Sequence, residues 1–220
     1  MLEFLDMKRI YLVRHGESEG NINGKFGQPF DGPLSDLGEK QASMIAERAK
    51  NIDFDVIIAS PSKRAFQTAE KISEKTGKEI VPSKLFVERR RPSELVGLSW
   101  EDEKVVEYVR LREENKNDPD FRYSDEEVFV DLDKRAGEAL DFLKERKEEN
   151  ILVATHGIFM KALLGKFVFE DKFTPLIWTA ILEKFQVGNT AVTLLEENEK
   201  GKWTIKTWND QAHLGEISQI

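Results

Sequence analysis

Residues 10–18 read IYLVRHGES. Ile10–Val13 is an apolar run without polar alternation, the pattern of a strand covered on both faces. It stops abruptly at Arg14, His15, Gly16 and Glu17. Val56–Ala59 (VIIA) and Ile151–Ala154 (ILVA) repeat the pattern, and helical spacing separates the three runs. Gly38–Asn51 carries Ala42, Ile45, Ala46 and Ala49 on one face. Ser62–Thr76 carries Ala65, Phe66, Ala69 and Ile72 before the stop at Gly77. This alternation predicts an α/β fold of three layers, α/β/α, with a mostly parallel sheet. Ala191–Leu195 and Trp203–Thr207 flank Glu-Asn-Glu-Lys-Gly and predict an antiparallel hairpin near the sheet edge.

Between Trp100 and Asn150 charge dominates. Glu101–Asn115 and Ser124–Glu149 read as helices joined by the breaker Asn117-Asp118-Pro119. Ser124 with Glu127 fits a capping box, and Val128, Leu132, Ala139 and Leu143 form an apolar stripe. The pair reads either as helices packed on the sheet or as a cap over a site. We expect a helical cap insertion at about 100–149 within one domain spanning 1–220. Trp178, Trp203 and Trp208 read as core, and Gly157–Phe169 as a buried helix with Lys161 and Lys166 at its rim.

The chain has 220 residues, 40% hydrophobic and 34% charged, which suits a folded domain with one core. No apolar run approaches the length of a membrane span, and MLEFLDMKRI lacks a signal-peptide pattern, so the expectation is cytoplasmic, with no membrane partner. The absence of cysteine excludes disulfides, thiolate catalysis and thiolate zinc sites. A net charge of −8 argues against nucleic acid as a partner. An anionic substrate would need a local arginine cluster to reverse that field.

Two of the three histidines share one context. His15 follows IYLV-Arg and precedes Gly16; His156 follows ILVA-Thr and precedes Gly157. In parallel sheets ligands bind beyond the carboxyl ends of strands, near helix N-termini that favour anions. The third strand runs into Ser60-Pro61-Ser62-Lys63-Arg64. Pro61 reads as the first helical position, which puts Arg64 in the first turn, where it opposes the helix dipole unless an anion lies nearby. Three strand ends thus carry Arg14, His15, Arg64 and His156 to one edge, with arginines suited to fork onto phosphate oxygens. A metal site fails on ligand count, because His213 lies in a separate C-terminal segment. The pattern predicts a phosphate pocket with histidine as nucleophile, and no cofactor.

These residues resemble the histidine phosphatase superfamily, the phosphoglycerate mutase-like fold. LVRHGES looks like its Arg-His-Gly-Glu/Gln signature. Asn21, the segment Asp31–Ala42 (DGPLSDLGEKQA), Ser60–Ala69 (SPSKRAFQTA), Thr155-His156-Gly157, Gly188-Asn189-Thr190 and Asn209–Leu214 (NDQAHL) match further family segments in order. The resemblance implies that His15 attacks phosphorus and passes through a phosphohistidine. Its other ring nitrogen would be pinned by the Gly16 carbonyl, which fixes the tautomer. Arg14, Arg64 and His156 would surround the phosphoryl oxygens, and Asn21 would add a neutral donor. Ser18 and Gly157 would complete the shell, and Glu17 would hold the pocket arginines.

Glu88, in Leu85–Glu94 (LFVERRRPSE), matches the general acid, with Glu94 in reserve. Arg89 and Arg91 are expected to grip an acidic substrate or to form a solvated salt-bridging run. This segment departs from the mutase pattern: Pro92-Ser93-Glu94 replaces Tyr-Gly, and Ser99-Trp100 stands where Asn-Lys would be. The resemblance therefore implies a metal-independent phosphomonoesterase acting on a small phosphorylated substrate. A bisphosphoglycerate-dependent phosphoglycerate mutase is the alternative, and a non-catalytic phospholigand-binding regulator is the alternative of another class. A homodimer is left open.

Overall fold

The computed structural model describes residues 7–219. Six strands form one sheet: β1 (Arg9–Arg14), β2 (Val56–Ala59), β3 (Ile80–Pro82), β4 (Asn150–Thr155), β5 (Val192–Glu197) and β6 (Trp203–Asp210). Their order is β3-β2-β4-β1-β5-β6. The first four pair in parallel, β5 runs antiparallel to β1, and β6 returns antiparallel to β5. The hairpin turn is set by Asn198, whose Oδ1 accepts from the N–H groups of Lys200 and Lys202 at 3.0 Å each.

Seven helices complete the layers: α1 (Glu19–Ile22), α2 (Asp36–Ala49), α3 (Lys63–Thr76), α4 (Glu103–Glu114), α5 (Phe129–Glu145), α6 (Gly157–Phe169) and α7 (Pro175–Lys184). The unbroken apolar runs are explained by burial on both faces. Ile10, Leu12, Val56, Ile58, Ile151 and Val153 pack against α5, α6 and α7. Val13, Ile57, Ala59, Leu152 and Ala154 pack against α2 and α3. Each such aliphatic side chain contributes roughly 1.5–3 kcal/mol by leaving water, so neither face tolerates a polar residue. Trp178 is buried in the first cluster, with Trp203 and Trp208 packed against it. In α6, Phe159, Met160, Ala162, Leu163 and Leu164 are buried, while Lys161 and Lys166 reach the Leu182 carbonyl and Asp133. Among the described residues, no helix is long and apolar enough to cross a membrane.

Local chemistry differs from the sequence expectation at two places. Pro61 precedes the helix rather than opening it, because Ser62 is the N-cap of α3; Arg64 still falls in the first turn. The capping box at Ser124 and Glu127 does not form. Glu126 instead accepts from the N–H groups of Tyr123 and Ser124 at 2.8 and 2.7 Å, and Glu127 binds Arg135, so the helix begins at Phe129. The Val128 N–H then donates to Asp131 Oδ2 at 3.1 Å.

The two helices expected between 100 and 149 also diverge in packing. The apolar face of α5, including Leu132, Ala136, Ala139 and Leu143, lies in the core against the sheet. By contrast, Val105 and Tyr108 of α4 form a separate cluster with Phe26 and Leu95. Backbone bonds from Phe26 N to Leu98 O (2.9 Å) and Gly97 N to Phe26 O (2.8 Å) tie the 24–30 loop to the 95–98 loop. These two loops, not α5, line the cleft over the strand ends.

Candidate active site

The strand order explains how distant residues meet. β4 lies between β2 and β1, so His156 at its end is flanked by Ser60 beyond β2 and His15 beyond β1. The two imidazole rings lie 5.1 Å apart, centre to centre, nearly edge to face. A cleft of about 720 Å³ opens over them, lined among others by Arg14, His15, Asn21, Arg64, Glu88, Arg89 and Arg91.

His15 is 2% exposed. Its Nδ1 lies 2.6 Å from the Gly16 carbonyl, and its Nε2 lies 3.3 Å from Arg64 Nε. A carbonyl only accepts and a guanidinium only donates. The ring is therefore the neutral Nδ1–H tautomer, with the Nε2 lone pair directed at the arginine. Burial, then the charges of Arg14 and Arg64, hold its pKa well below 6.5.

His156 is fully buried, and its Nε2 lies 2.8 Å from Ser60 Oγ. Ser60 Oγ also accepts from the Ser62 N–H at 3.3 Å and keeps its proton and a second lone pair for the imidazole. His156 Nδ1 is a buried atom without a partner, and it is a donor when Ser60 donates to Nε2. Burial, then His15 and the two arginines, push its pKa well below 6.5.

Arg14 bonds the Val187 carbonyl through Nη1 at 2.5 Å, and its Nε is a second buried donor without a partner. Gly157 sits directly against it: a Cβ there would lie 3.2 Å from Arg14 Nε. Its role is to admit the guanidinium, and it does not line the cleft. Arg64 is anchored by the Pro29 carbonyl at 2.9 Å. Asn21 uses its Oδ1 to accept from Ser18 N and Oγ, so its Nδ2 is the atom available to a ligand. Ser18 is fully buried, also bonds Gln28, and shapes the Asn21 turn from behind rather than lining the cleft.

Glu88 lies at the N-terminus of α6. Oε1 accepts from Arg89 N (2.8 Å) and Phe159 N (3.0 Å), and Oε2 accepts from Ile158 N (3.2 Å). It is also the carboxylate that acts on both Arg14 and Arg64. Glu17, expected in that role, turns away to accept from Ser35 Oγ at 2.7 Å, where Ser35 caps α2. Glu94 is exposed, bonds Ser124 Oγ at 2.9 Å and lies outside the cleft.

Arg89 is 5% exposed, donates Nε to the Glu127 carbonyl at 3.1 Å and leaves Nη2 buried without a partner. Burial, then Arg91 and Arg112, push its pKa down to about 9. Arg91 stacks over Phe26, 5.3 Å from the ring centre.

Two supporting residues escaped the sequence reading. Ser60 appeared only as a motif letter, and its direction follows from the β2–β4 pairing. Arg135 grips both oxygens of Glu127 at 2.6 and 2.7 Å and donates to the carbonyls of Leu85 and Val87, immediately before Glu88. It also lies 3.9 Å over the Phe159 ring. Nothing in a charged helical stripe distinguishes it from a surface arginine. Among the described residues, no group of three or more His, Asp or Glu is arranged to hold a metal ion.

Comparison with known proteins agrees with this geometry. The model of the histidine phosphatase superfamily (branch 1) matches residues 10–211. The chain is 31% identical over 209 residues to a protein of Bacillus subtilis named as the uncharacterized phosphatase PhoE, covering 94% of this chain and 97% of that one. It is 30% identical over 218 residues to phosphoglycerate mutase-like protein 4 of Arabidopsis thaliana, covering 97% and 90%. Among solved structures, a mycobacterial glucosyl-3-phosphoglycerate phosphatase superposes with a TM-score of 0.77 at 22% identity, over 93% of this chain and 100% of that one. With its strand-end histidines and arginines in place and its sequence matched from β1 to the C-terminal segment, the chain belongs to the histidine phosphatase superfamily.

Proposed function

We propose that the protein is a metal-independent phosphomonoesterase that hydrolyses a small phosphorylated molecule through a phosphohistidine on His15. The observation that carries this reading is the His15 ring, neutral by burial, with its Nδ1–H bound to the Gly16 carbonyl and its Nε2 lone pair facing the cleft arginine. A neutral imidazole with one nitrogen held and the other bare is a competent nucleophile.

In the first step Nε2 forms a bond to phosphorus as the ester P–O bond breaks, and the leaving oxygen takes a proton from Glu88. Arg14 Nε, the Arg64 guanidinium, His156 Nδ1 and Asn21 Nδ2 are the donors for the phosphoryl oxygens, where charge is held during in-line transfer. In the second step water attacks phosphorus, its proton passes to Glu88, and the N–P bond breaks. Arg89 and Arg91, which also line the cleft, are the groups for an anionic portion of the substrate.

A phosphoglycerate mutase is the second reading. It is favoured by the unpartnered buried Arg89 Nη2, which suits a carboxylate, and by the mutase-like relative. The test is phosphate release from a panel of phosphomonoesters in EDTA, for wild type and His15→Ala. Release by wild type alone supports the phosphatase. No release, or equal release by the mutant, refutes it. Isomerisation of 3-phosphoglycerate with bisphosphoglycerate, without net phosphate release, establishes the mutase instead.

A further inference from the structure

Once the phosphate pocket is assigned, several polar side chains from the same sequence segments have no task in it. Gln41, Thr68, Asn189, Thr190 and His213 all lie outside the cleft lining. They converge instead on the backbone around the proposed nucleophile.

The peptide plane joining His15 to Gly16 is held at both ends. Its carbonyl accepts from Asn189 Nδ2 at 3.1 Å and from Thr190 N at 3.3 Å. Its N–H donates to Thr68 Oγ1 at 3.2 Å. The next plane, Gly16 to Glu17, carries the carbonyl that receives the His15 Nδ1–H. Its N–H donates to Gln41 Oε1 at 2.8 Å. A ring held by a loop carbonyl is only as fixed as that carbonyl's peptide plane, and here both successive planes are pinned.

Close backbone contact makes these bonds reachable. A Cβ on Gly16 would lie 2.5 Å from the Gly38 carbonyl, and one on Gly38 only 1.8 Å from the Glu17 carbonyl. The N-terminal turn of α2 therefore presses directly on residues 16–17, bringing Gln41 within reach. Thr68 arrives on α3, one turn after Arg64.

The third anchor is braced from the C-terminal segment. Thr190 has φ of +55°, a strained conformation for a β-branched residue. Its hydroxyl donates to the Asn189 carbonyl at 2.8 Å and lies 3.0 Å from His213 Nε2. Arg48 donates to His213 Nδ1 at 3.3 Å, so the His213 proton resides on Nε2 and is directed at Thr190. Gln211 Nε2 also donates to the Asn189 carbonyl at 3.0 Å.

We infer that Gln41, Thr68 and Asn189 are positioning residues that fix the tautomer and aim of the His15 ring by locking the two peptide planes beside it, with His213 bracing the Asn189 loop. The inference rests on His15 being the nucleophile. It predicts a loss confined to transition-state geometry, because these groups touch no substrate.

The experiment compares Thr68→Val, Thr68→Ser, Gln41→Leu and Asn189→Ala with wild type and His15→Ala. It measures kcat and KM, inhibition by vanadate and by phosphate, rapid-quench phosphohistidine formation, and melting temperature. Misplacing a reacting group by about 1 Å costs on the order of a hundredfold, so Thr68→Val, Gln41→Leu and Asn189→Ala should lose roughly tenfold to a hundredfold in kcat. KM and phosphate inhibition should stay at wild-type levels, and vanadate inhibition should weaken in step with kcat. Thr68→Ser, which keeps the hydroxyl, should recover most of the rate. Unchanged kcat, losses carried by KM, or losses equal in Thr68→Ser and Thr68→Val would overturn the inference, as would losses that follow melting temperature alone. Absence of phosphohistidine in wild type would overturn the proposed function and this inference with it, whereas a labelled wild type with wild-type-like variants overturns the inference alone.

Discussion

Arg64 donates its Nε–H to His15 Nε2 across 3.3 Å, so the nitrogen proposed to attack is occupied by the guanidinium proposed to hold the phosphate. An entering phosphoryl group must draw that N–H from nitrogen onto oxygen before the lone pair is usable. Arg64→Met should therefore lower kcat by roughly a hundredfold to a thousandfold, the range for removing one donor to developing charge. Arg64→Lys should recover only part of it, because lysine keeps the charge but not the fork. Steady-state kinetics on one phosphomonoester decides this; a kcat within threefold of wild type in Arg64→Met refutes the assignment.

The three histidines predict a proton-linked loss of stability. Burial holds His15 and His156 well below 6.5, and burial with Arg48 pushes His213 down to about 4. In the unfolded chain each imidazole takes a proton near pH 6.5, while the native rings stay neutral. Below that pH the unfolded state binds more protons, so stability is complete above about pH 6.5 and falls as pH drops through it. Urea unfolding at pH 7.5, 6 and 5 should show the decline. The contribution of His213 should be spent by about pH 4, and His213→Gln should flatten the curve. Stability constant from pH 7.5 to 5 contradicts the neutral-ring picture.

In the proposed reaction Ser60 donates to His156 Nε2 and keeps the ring proton on Nδ1, so Ser60→Ala should free the ring to adopt either tautomer. About half of the neutral population would then present a lone pair instead of a donor to a phosphoryl oxygen, and the freed ring would also turn. We expect kcat to fall about tenfold, less than the hundredfold or more for losing the donor outright in His156→Ala. Imidazole nitrogen shifts in 15N-labelled protein should show a protonated Nδ1 on both His15 and His156 of wild type, with the His156 pattern alone averaged in Ser60→Ala. A protonated Nε2 on wild-type His156 would reverse the argument.

Glu88 has one contact role seen in the structure and one proposed chemical role, and the two are separable. Its carboxylate accepts from the Ile158 and Phe159 N–H groups, and glutamine at this position must turn its amide donors towards one of those N–H groups. Glu88→Gln should lose about 1–3 kcal/mol of stability from that mismatch. If Glu88 protonates the leaving oxygen, the loss in kcat/KM, which reports the first step alone, should be large for an alkyl phosphate and small for p-nitrophenyl phosphate, whose leaving group needs no proton. Equal losses on both substrates would leave Glu88 with the helix terminus alone.

Much of the site was legible because buried parallel strands leave an unmistakable trace. IYLV, VIIA and ILVA each end at the same edge, so whatever polar residue follows them must meet there. That brings Arg14, His15, Arg64 and His156 to one edge without any knowledge of the loops. What stayed hidden depends on approach between segments far apart in sequence. Glu17 was read as facing the arginines, but the α2 N-terminus draws it to Ser35, and Glu88 takes its place. Arg135 reads as one charge among many until α5 is seen packed on the sheet beneath Leu85 and Val87. His213 appeared remote because only the hairpin returns the chain to Thr190.

The central place of β1 has a consequence for synthesis on the ribosome. Its neighbours, β4 and β5, begin at Asn150 and Val192, and the carbonyl of His15 waits for Asn189 and Thr190. At about 5–20 residues per second, the proposed nucleophile emerges roughly ten seconds or more before the segments that set it. β4 reaches the IYLV strand first and β5 only after Asn189 and Thr190, so a nascent chain carries His15 before its surroundings are complete. The surroundings proposed to make His15 reactive are therefore closed only by segments 174 residues or more further along the sequence.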